Sequence, residues 1–309
     1  MLLGYQYGTA FYPNRNYLHD RNNPNQIPRR FSTGTGLNAS INSPRVLGMK
    51  MVDFADYVGL GAGPRAGLFE SGASEAITVS LGRILATRIG PGPLMRASHR
   101  LRYQTYCIER QFLCAEDYPD RLEQDEYDAT SAHFGVFADE VTPERMIATG
   151  RLVPGEREFP LHEYCTISSQ YQRWFKSGVR AAEISRLMVN QSAIVKLLGA
   201  ASLTVRKDIL VALYKAMYQW VETQDISLLF AAMEPPLARL LRKTGFPFME
   251  IGPEADYYGR VFPYVLDIDY GKLYLRMHFP ETWEFLIEAQ GEQDAQISAR
   301  GAKPLVRVA

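Results

Sequence analysis

The stretch AEISRLMV at residues 182–189 has the apolar composition of a buried strand, yet it carries a carboxylate, a hydroxyl and a guanidinium. Charge in such a place costs several kcal/mol unless it is paired or used in chemistry. Two upstream segments have the same character: residues 102–107 on a helical pattern, and residues 123–128, which the strand-like residues 147–153 follow. Arginines and carboxylates spread over separate elements indicate one shared, buried electrostatic site.

The overall composition is that of an ordinary globular chain. It has 309 residues, of which 46% are hydrophobic, and a formal net charge of zero. We therefore expect one large domain, or a domain with a long appendage, without bulk attraction to nucleic acid or membrane. Neither a run of roughly 18 apolar residues nor a signal peptide is evident, so we expect no transmembrane segment and a cytoplasmic location. Cys107, Cys114 and Cys165 fit a reducing compartment and lack zinc-site spacing.

Residues 1–93 are predicted to form a poorly ordered N-terminal extension. Residues 1–50 are basic and rich in Asn, Pro and Gly, which is typical of a flexible arm; contact with an acidic partner is the alternative. The glycine-rich residues 59–64 look superficially like a phosphate-binding loop, but no buried strand precedes them and a proline removes one amide. We expect a short helix at 74–88 and a frayed tail at 291–309.

Residues 94–290 are predicted to fold as one domain of the α/β (α+β) class. The apolar spacing gives helix, loop, two strands, long loop, strand, helix, strand, helix and two strands, followed by a tail helix. This order predicts a mixed sheet with helices on both faces. The expected strands are residues 133–138, 144–154, 182–189, 226–233, 246–251 and 261–268, and the expected helices start near Leu94, Val205, Pro235 and Tyr274.

Four motifs in this order resemble the GNAT-type N-acyltransferase superfamily, and more closely its acyl-homoserine-lactone synthases and long-chain N-acyl amino acid synthases. The first helix has an arginine four residues before an aromatic, the next loop has E-x-D-x-x-D, one strand ends in R-L-x-P and a later strand contains E-x-S-R. The resemblance implies a GNAT-like, mostly antiparallel sheet. The matching residues are Arg102 and Tyr106; Glu123, Asp125 and Asp128; Arg151 with residues 152–154; and Glu183, Ser185 and Arg186.

A still closer resemblance is to the acyltransferases associated with PEP-CTERM/exosortase systems. Each supporting motif is weak alone, but the set is specific because the motifs fall in the right order. The resemblance covers about residues 94–270 and leaves the N-terminal extension outside. The motifs are LRYQTYC at 101–107, AAMEP at 231–235, LLRKTG at 240–245 and IGP at 251–253.

The acyl donor is indicated by a departure from acetyl-CoA-dependent enzymes of this superfamily. Those enzymes follow the fourth strand with a glycine-rich turn, R/Q-x-x-G-x-G/A, whose amides hold the CoA pyrophosphate at a helix N-terminus. Here the strand runs into NQSAIVK at 190–196, and Gly199 comes too late. We therefore favour acyl carrier protein, which presents the acyl group as a phosphopantetheine thioester, with acyl-CoA as the other candidate. No bound cofactor is expected.

Docking of acyl carrier protein calls for a basic surface, because that protein is strongly acidic. The alternative for any such cation is an ordinary solvated charge on a helix face. The main candidates are Arg239, Arg242 and Lys243, and further ones are Arg173, Lys176 and Arg180.

Acyl transfer to an amine requires removal of an ammonium proton, a thioester carbonyl held in line, and hydrogen-bond donors for the oxyanion. Glu183 is the candidate base, directly or through a water; the alternative is a buried ion pair with Arg102 or Arg151. In a regular strand Ser185 shares a face with Glu183, whereas Arg186 points the other way unless a bulge rotates it.

Further candidate residues surround this centre. Asp125 and Asp128 either orient the amine and the donor loop or simply pair with Arg102 and Arg151. No metal site is expected, because no histidine joins the cluster. By resemblance, backbone amides near residues 187–189 serve the oxyanion. The acyl chain is expected to contact Tyr106, Phe112, Leu187, Met188, Val189 and Trp220, although such residues are often plain core.

These residues and the resemblance together imply an N-acyltransferase. It moves a long fatty acyl group from acyl carrier protein to the amine of an amino acid or a similar small amine. One alternative with the same fold is a lactone-forming autoinducer synthase of the acyl-homoserine-lactone type, which uses S-adenosylmethionine. Another is a non-catalytic module of a PEP-CTERM/exosortase system that binds an acyl ligand or a partner.

Overall fold

The charged stretch at residues 182–189 lies in the middle of a nine-stranded sheet. The computed structural model describes residues 77–155, 159–172, 175, 179–199 and 205–287. Within them the sheet order is β1-β2-β3-β4-β5-β6-β9-β7, with β8 paired to β9, and β5–β6 is the parallel pair. The predicted mixed, mostly antiparallel sheet is confirmed. The strands are β1 Thr78–Leu81, β2 Ile84–Ile89, β3 Ala132–Ala138, β4 Met146–Gly155, β5 Ala181–Val189, β6 Leu228–Met233, β7 Met249–Glu250, β8 Ala255–Asp256 and β9 Arg260–Asp267.

Helices cover both faces of this sheet, as predicted. On one face α1 packs with Met188 of β5 in a small apolar cluster. On the other face the main core joins α3, α4, α6 and α7 to Ala182 and Ile184 of β5. None of the helices in the described residues has the length and apolar composition needed to cross a membrane. The helices are α1 Pro93–Tyr103, α2 Leu161–Tyr164, α3 Gln191–Leu198, α4 Val205–Thr223, α5 Pro235–Lys243, α6 Ile268–His278 and α7 Pro280–Ile287, and α1 continues into a π-helical turn, Gln104–Glu109.

The helix expected at residues 74–88 is wrong, because this region contains the hairpin β1–β2. Gly82, with φ 61°, makes the tight turn between the two strands, a conformation that glycine adopts without strain. Strand β2 then pairs with β3 along its whole length, and this pairing outweighs the weak helical spacing. The sheet therefore begins at Thr78, before the domain start expected at residue 94.

Two helical regions also differ from expectation. The single tail helix expected over 274–289 is a pair, α6 and α7, separated at Phe279 before Pro280, since proline ends the first helix and opens the second. Helix α3 was not predicted, although its cap is visible in the sequence: the Asn190 side chain accepts a hydrogen bond from the Ala193 amide at 2.8 Å. The expectations for residues 1–76, 173–174, 176–178 and 288–309 lie outside the described residues.

Strands β5 and β6 separate after a short paired stretch. Their parallel pairing joins residues 181–183 to residues 228–230 and goes no further. Strand β6 continues beside β9 as far as Met233, while β5 continues beside β4 as far as Val189. A gap therefore opens between the two central strands immediately after Glu183.

Strand β5 contains a bulge opposite β4. Thr149 pairs with Met188 and Arg151 pairs with Ser185, so two residues of β5, Arg186 and Leu187, lie opposite one residue of β4. Arg186 takes the left-handed backbone conformation with φ 51°, which is costly for a residue with a side chain. The bulge that the sequence left open is thus present, and it turns Arg186 onto the face of Ser185.

Candidate active site

A cluster of three arginines and three carboxylates lies on the α1 face of the sheet, and we call it the arginine–carboxylate cluster. The arginines come from α1, β4 and the β5 bulge, whereas all three carboxylates come from the loop 121–128. Arg102 and Arg151 are each 1% exposed, and Glu123 is fully buried. The formal charges sum to zero, which makes burial of six charged groups possible. The members are Arg102, Arg151, Arg186, Glu123, Asp125 and Asp128.

Asp128 joins two of the arginines. Its Oδ1 accepts hydrogen bonds from Arg102 Nη1 at 2.7 Å and from Arg151 Nη1 at 2.6 Å, and its Oδ2 accepts one from the Asp125 amide at 2.9 Å. Burial alone would raise the pKa of Asp128, but these hydrogen bonds and the two positive charges hold that pKa well below its usual range. Asp128 is therefore ionised at any working pH and fixes the loop against α1 and β4.

Arg186 completes the cluster because the bulge directs it there. Its Nη2 lies 3.0 Å from Glu123 Oε1 and 2.9 Å from Asp125 Oδ2. The ring of Tyr106 lies 5.3 Å from its guanidinium carbon, within cation–π range. Although burial opposes the charge, nearby tyrosines and carboxylates raise the pKa of Arg186 well above its ordinary value.

Ser185 lies at the edge of the same network. Its Oγ accepts a hydrogen bond from Arg151 Nε at 3.0 Å. Ser185 and Arg151 are directly paired across β4 and β5, so their side chains share one face of the sheet. The structure thus brings together six of the seven predicted catalytic residues, namely Arg102, Asp125, Asp128, Arg151, Ser185 and Arg186.

Glu183, the seventh, is buried but stands apart from the arginines. It is 1% exposed, and its Oε2 accepts a hydrogen bond from the Leu161 amide at 2.7 Å. Among the described residues no arginine lies within ion-pair distance of it, so the alternative pairing with Arg102 or Arg151 is not observed. Burial raises the pKa of Glu183 to about 8, and the Leu161 amide offsets only part of that rise.

Two histidines that the sequence analysis did not connect with the site flank Asp128. His99 Nε2 lies 3.9 Å from Asp128 Oδ2, and His133 Nε2 lies 3.8 Å from Oδ1 and 3.0 Å from the Asp128 carbonyl oxygen. Burial, helped by the charge of Arg102, lowers the pKa of His99 to about 4. The sequence analysis missed His133 because only the register between β3 and β4, in which His133 pairs directly with Arg151, brings it to the cluster.

These histidines remove the reason for which the sequence analysis excluded a metal. His99, Asp128 and His133 offer ligand atoms within 4.8 Å of one another. However, the Asp128 carboxylate already binds two arginines, and a divalent cation would add positive charge beside them. The expectation of no metal stays a prediction that now rests on electrostatics.

The six predicted acyl-contacting residues do not line one cavity. Tyr106 and Phe112 pack against Tyr258 beside Arg186, with ring centroids 6.4 and 6.0 Å from it. Leu187 and Val189 face the main core, whereas Met188 faces α1. Trp220 packs edge-on against Phe134 in the core, which was the alternative interpretation. Their role in acyl binding stays a prediction.

An aromatic group that the sequence analysis did not single out closes the site on the β8–β9 side. Tyr257 stacks on Tyr164 with ring centroids 4.0 Å apart, and the positive charge of Arg186 offsets part of the rise that burial causes in the pKa of Tyr257. Tyr127 donates a hydrogen bond to Glu163, which ties the loop 121–128 to α2. These residues link the loop, α2 and the turn before β9 around Arg186 and Glu183.

Two cavities flank the strand separation. One, of about 250 Å³, lies under the segment that follows α2 and is lined by His162, Cys165, Ile167, Gln172 and Phe175. The other is narrow and apolar and lies on the opposite face of the sheet, between the sheet and helices α4, α6 and α7. Its floor includes Ile184 and Leu229, next to the point where β5 and β6 separate.

The predicted docking cations lie on the surface of α5. Arg239, Arg242 and Lys243 are all exposed, and their spacing places them on one side of the helix. Arg173 and Lys176 lie outside the described residues. The structure thus leaves a small basic surface on α5 open to a partner.

Comparison with known proteins shows that the residues of this site lie in a segment that matches a known domain family. Residues 101–194 match the family described as Acetyltransferase (GNAT) domain. FeeM, an N-acyl amino acid synthase from uncultured soil microbes, is similar in structure at 17% identity, covering 63% of this chain and 98% of its own, with a TM-score of 0.49. The acyl-homoserine-lactone synthases BjaI (20% identity, 62% and 80% covered, TM-score 0.41) and LasI (15%, 60% and 89%, 0.43) are also similar.

No curated protein is significantly similar to this chain in sequence. The family match spans α1 from Leu101, the loop 121–128, β4 and β5, and so contains the whole arginine–carboxylate cluster together with Glu183. Residues 101–194 of this chain therefore match a GNAT acetyltransferase domain.

Proposed function

We propose that the chain is an N-acyltransferase that moves a long-chain fatty acyl group from an acyl carrier protein thioester to the amine of an amino acid or a similar small amine. The observation that carries the proposal is the state of Glu183. It is a buried carboxyl that has no arginine partner within the described residues, and it lies where β5 and β6 separate. A carboxylate whose conjugate acid has a pKa of about 8 is a stronger base than an ordinary carboxylate, and its ionised form, which becomes predominant above about pH 8, accepts a proton from an ammonium group more readily.

The reaction needs no covalent enzyme intermediate. The acceptor binds as an ammonium ion and gives one proton to the ionised form of Glu183, directly or through a water. The free amine attacks the thioester carbonyl carbon, and the resulting oxyanion accepts hydrogen bonds from backbone amides near residues 187–189. The carbon–sulfur bond then breaks, and the phosphopantetheine thiolate takes up the proton that the amine nitrogen releases. The products are an N-acyl amine and the free thiol.

The arginine–carboxylate cluster supports this reaction by positioning. Arg102 and Arg151 are buried and bound to carboxylates, so they hold the loop 121–128 rather than contact a substrate. Arg186 reaches the same loop and fixes the bulge that lies beside the gap. We assign Asp125, Asp128 and Ser185 to the same positioning network.

The donor preference is supported by the N-terminus of α3. In CoA-binding enzymes of this fold, free amides at the corresponding helix meet the pyrophosphate. Here the Asn190 side chain occupies the Ala193 amide at 2.8 Å, and no glycine-rich turn precedes the helix. A donor on a single phosphopantetheine arm fits this terminus better than CoA does. The basic side of α5 would meet the acidic carrier protein.

The cellular setting belongs to the same proposal. The three cysteines are all unpaired, in keeping with a reducing compartment and a cytoplasmic acyl carrier protein. The association with a PEP-CTERM/exosortase system rests on the sequence motifs at 101–107, 231–235, 240–245 and 251–253.

The test is reconstitution of the reaction with the full chain. Wild type and Glu183→Gln are incubated with palmitoyl-loaded acyl carrier protein or palmitoyl-CoA and a panel of amino acids, and products are identified by mass spectrometry. We expect N-acyl amino acids from wild type, with the carrier-protein donor favoured. The substitution is expected to lower kcat by about 10²–10⁴-fold with folding intact.

Other outcomes of this assay would redirect the assignment. A product formed only with S-adenosylmethionine, and containing a lactone, would replace the proposal by an autoinducer synthase. Binding of an acyl ligand without turnover by folded protein, unchanged in Glu183→Gln, would replace it by a non-catalytic acyl-binding module.

A further inference from the structure

We infer that the cavity of about 250 Å³ beside α2 binds the side chain of the acceptor and restricts acceptors to amino acids whose side chain is uncharged and mainly apolar. This inference rests on the proposed function, because it names the class of acceptor that Glu183 deprotonates. We call this space the α2 cavity. Its described lining residues are His162, Cys165, Ile167, Gln172 and Phe175.

The α2 cavity lies next to Glu183. The Oε2 atom of Glu183 accepts a hydrogen bond from the Leu161 amide at 2.7 Å, and the lining residue His162 follows directly on α2. Burial, together with the negative charge of Glu183, raises the pKa of the Cys165 thiol to about 11, so this lining residue lies within electrostatic reach of the carboxyl. An amine that gives its proton to Glu183 is therefore held at the edge of the cavity.

Sheet register shows which side of Glu183 the cavity occupies. Glu183 pairs with Phe230 of β6, so the two side chains share one face of the sheet. The Phe230 ring stacks on the lining residue Phe175 with centroids 4.4 Å apart. Arg151 of the arginine–carboxylate cluster pairs instead with Ser185, on the β4 side of β5. A side chain attached beside the amine can therefore extend into the α2 cavity without meeting the cluster.

The described lining of the cavity suits an uncharged group. Its buried apolar members are Cys165, Ile167 and Phe175. His162 Nδ1 accepts a hydrogen bond from the Phe159 amide at 3.0 Å, which a protonated Nδ1 could not do, so this contact favours the uncharged imidazole. Gln172, the remaining lining residue, is exposed and neutral. A charged acceptor side chain would lose water here without meeting an opposite charge, which is strongly unfavourable.

The cavity volume sets an approximate upper size for the side chain. About 250 Å³ is available, and one water occupies about 30 Å³ in the liquid. A side chain as large as that of leucine or phenylalanine fits into this space. Each methylene that moves from water into apolar surroundings strengthens binding about fourfold. Leucine should therefore be a better acceptor than glycine, which places no side chain in the cavity.

Two lining positions allow the size and the charge of the cavity to be changed separately. Ile167→Phe adds an aromatic ring to a buried part of the wall, so it should reduce the space for large acceptor side chains and leave glycine unaffected. Gln172 lies at the exposed rim, where its Nε2 donates a hydrogen bond to the Ile167 carbonyl oxygen at 3.4 Å. Gln172→Lys therefore adds a positive charge that should favour glutamate over its neutral counterpart glutamine.

The experiment measures kcat/KM for glycine, leucine, phenylalanine, glutamine, glutamate and lysine as acceptors, with palmitoyl-loaded acyl carrier protein or palmitoyl-CoA as donor. Full-length wild type, Ile167→Phe and Gln172→Lys are compared. The control is Ser169→Lys, which adds the same charge at an exposed position of the same segment that does not line the cavity. Calorimetry measures binding of free leucine and glutamate to each protein. Circular dichroism checks folding, and Gln172→Lys, at an exposed position, decides the question if Ile167→Phe does not fold.

We expect wild type to use leucine and phenylalanine at least about tenfold better than glycine, glutamate or lysine. Ile167→Phe should lower kcat/KM for leucine by about tenfold and leave the value for glycine unchanged. Gln172→Lys should raise the ratio of glutamate to glutamine use by about fivefold, whereas Ser169→Lys should behave like wild type.

The outcomes separate this inference from the proposed function. Acylation with the same acceptor profile in wild type and in both cavity variants, or a wild-type preference for glutamate or lysine, would overturn the inference and leave the acyltransferase in place. Amino-acid binding that changes in the cavity variants, without acylation of any amine, would overturn the proposed function and leave the α2 cavity as a side-chain site. Neither binding nor acylation of any amino acid would overturn both.

Discussion

Burial of Glu183 carries a free-energy cost that ion pairs with arginine offset at the neighbouring buried carboxylates. Glu123, Asp125 and Asp128 each bind an arginine, and their pKa values lie below the ordinary ones even though burial opposes this. Glu183 accepts a hydrogen bond from the Leu161 amide and has no arginine partner in the part of the chain that the structure describes, so burial raises its pKa to about 8. A stability-driven sequence would place an apolar or paired residue there. Retention of an unpaired carboxyl at the strand separation points to use in proton transfer.

This pKa predicts how stability depends on pH. Between the ordinary pKa of 4.5 and about 8, folded Glu183 keeps its proton while the unfolded chain has lost it. Folded protein then binds more protons, so the free energy of unfolding falls as pH rises through this window, by about 5 kcal/mol from this group. Urea unfolding across the window should show wild type losing stability relative to Glu183→Gln. Parallel curves for the two proteins would contradict the assignment.

Asp128, unlike Glu183, is paired with arginines, so we predict that removing its charge lowers the stability of the fold. Asp128→Asn keeps the size of the side chain but leaves Arg102 and Arg151 without their shared negative charge. We expect a loss of about 3–5 kcal/mol in the free energy of unfolding, measured by denaturant titration at neutral pH. The control is Asp139→Asn, which removes an exposed partner of Arg83 and should change stability little. Equal effects of the two substitutions would mean that the cluster does not hold the fold.

At the scale of elements, the bulge in β5 determines that the Arg186 side chain contacts the arginine–carboxylate cluster. Without it, Arg186 would face the main core, and the cluster would lack its third cation. The left-handed backbone at Arg186 is a strain that the contacts with Glu123 and Asp125 offset. The bulge also places Leu187 on the core face and Met188 on the site face. A one-residue irregularity thus sets the register of the entire end of the strand.

Two substitutions at Arg186 separate backbone strain from side-chain contacts. Arg186→Ala and Arg186→Gly both remove the guanidinium, so both should lower kcat/KM of the reconstituted reaction strongly and to a similar extent. Only glycine adopts φ 51° freely, so Arg186→Gly should be more stable than Arg186→Ala by about 1 kcal/mol in denaturant unfolding. A more stable alanine variant would show that the bulge relaxes when the contacts are lost.

The elements also show what the sequence could and could not predict. Residues 182–189 were recognisable as a strand with unusual charges, and the motifs indicated that Arg102, Asp128 and Glu183 belong to one site. Spacing could not reveal the bulge, because it depends on the pairing of β5 with β4. The role of His133 was hidden for the same reason, since register across β3 and β4 brings it to Arg151. The hairpin β1–β2 was missed because short strands lack a periodic signal.

At the scale of the whole molecule, zero net charge shapes how a partner can be recruited. A chain with a formal net charge of zero offers no general attraction to an acidic protein. Steering of the acyl carrier protein proposed as donor would then have to come from a local surface, and the proposed surface is α5, where Arg239, Arg242 and Lys243 are exposed together. Such a surface acts mainly on the rate of encounter, and at roughly 0.1 M salt its attraction is largely screened beyond about 10 Å.

The corresponding prediction is that charge reversal on α5 weakens binding of the acyl donor and leaves the chemical step unchanged. Arg239→Glu combined with Arg242→Glu should raise KM for acyl carrier protein thioesters by about tenfold or more at low salt, with kcat unchanged, because α5 lies outside the arginine–carboxylate cluster. The difference from wild type should shrink as salt is raised, and a small acyl-pantetheine thioester should be used equally well by both proteins. Arg206→Glu with Lys207→Glu, an exposed pair on α4, is the matched control and should keep KM near the wild-type value. If the control raises KM as much, or if the small thioester is affected too, α5 is not the docking surface.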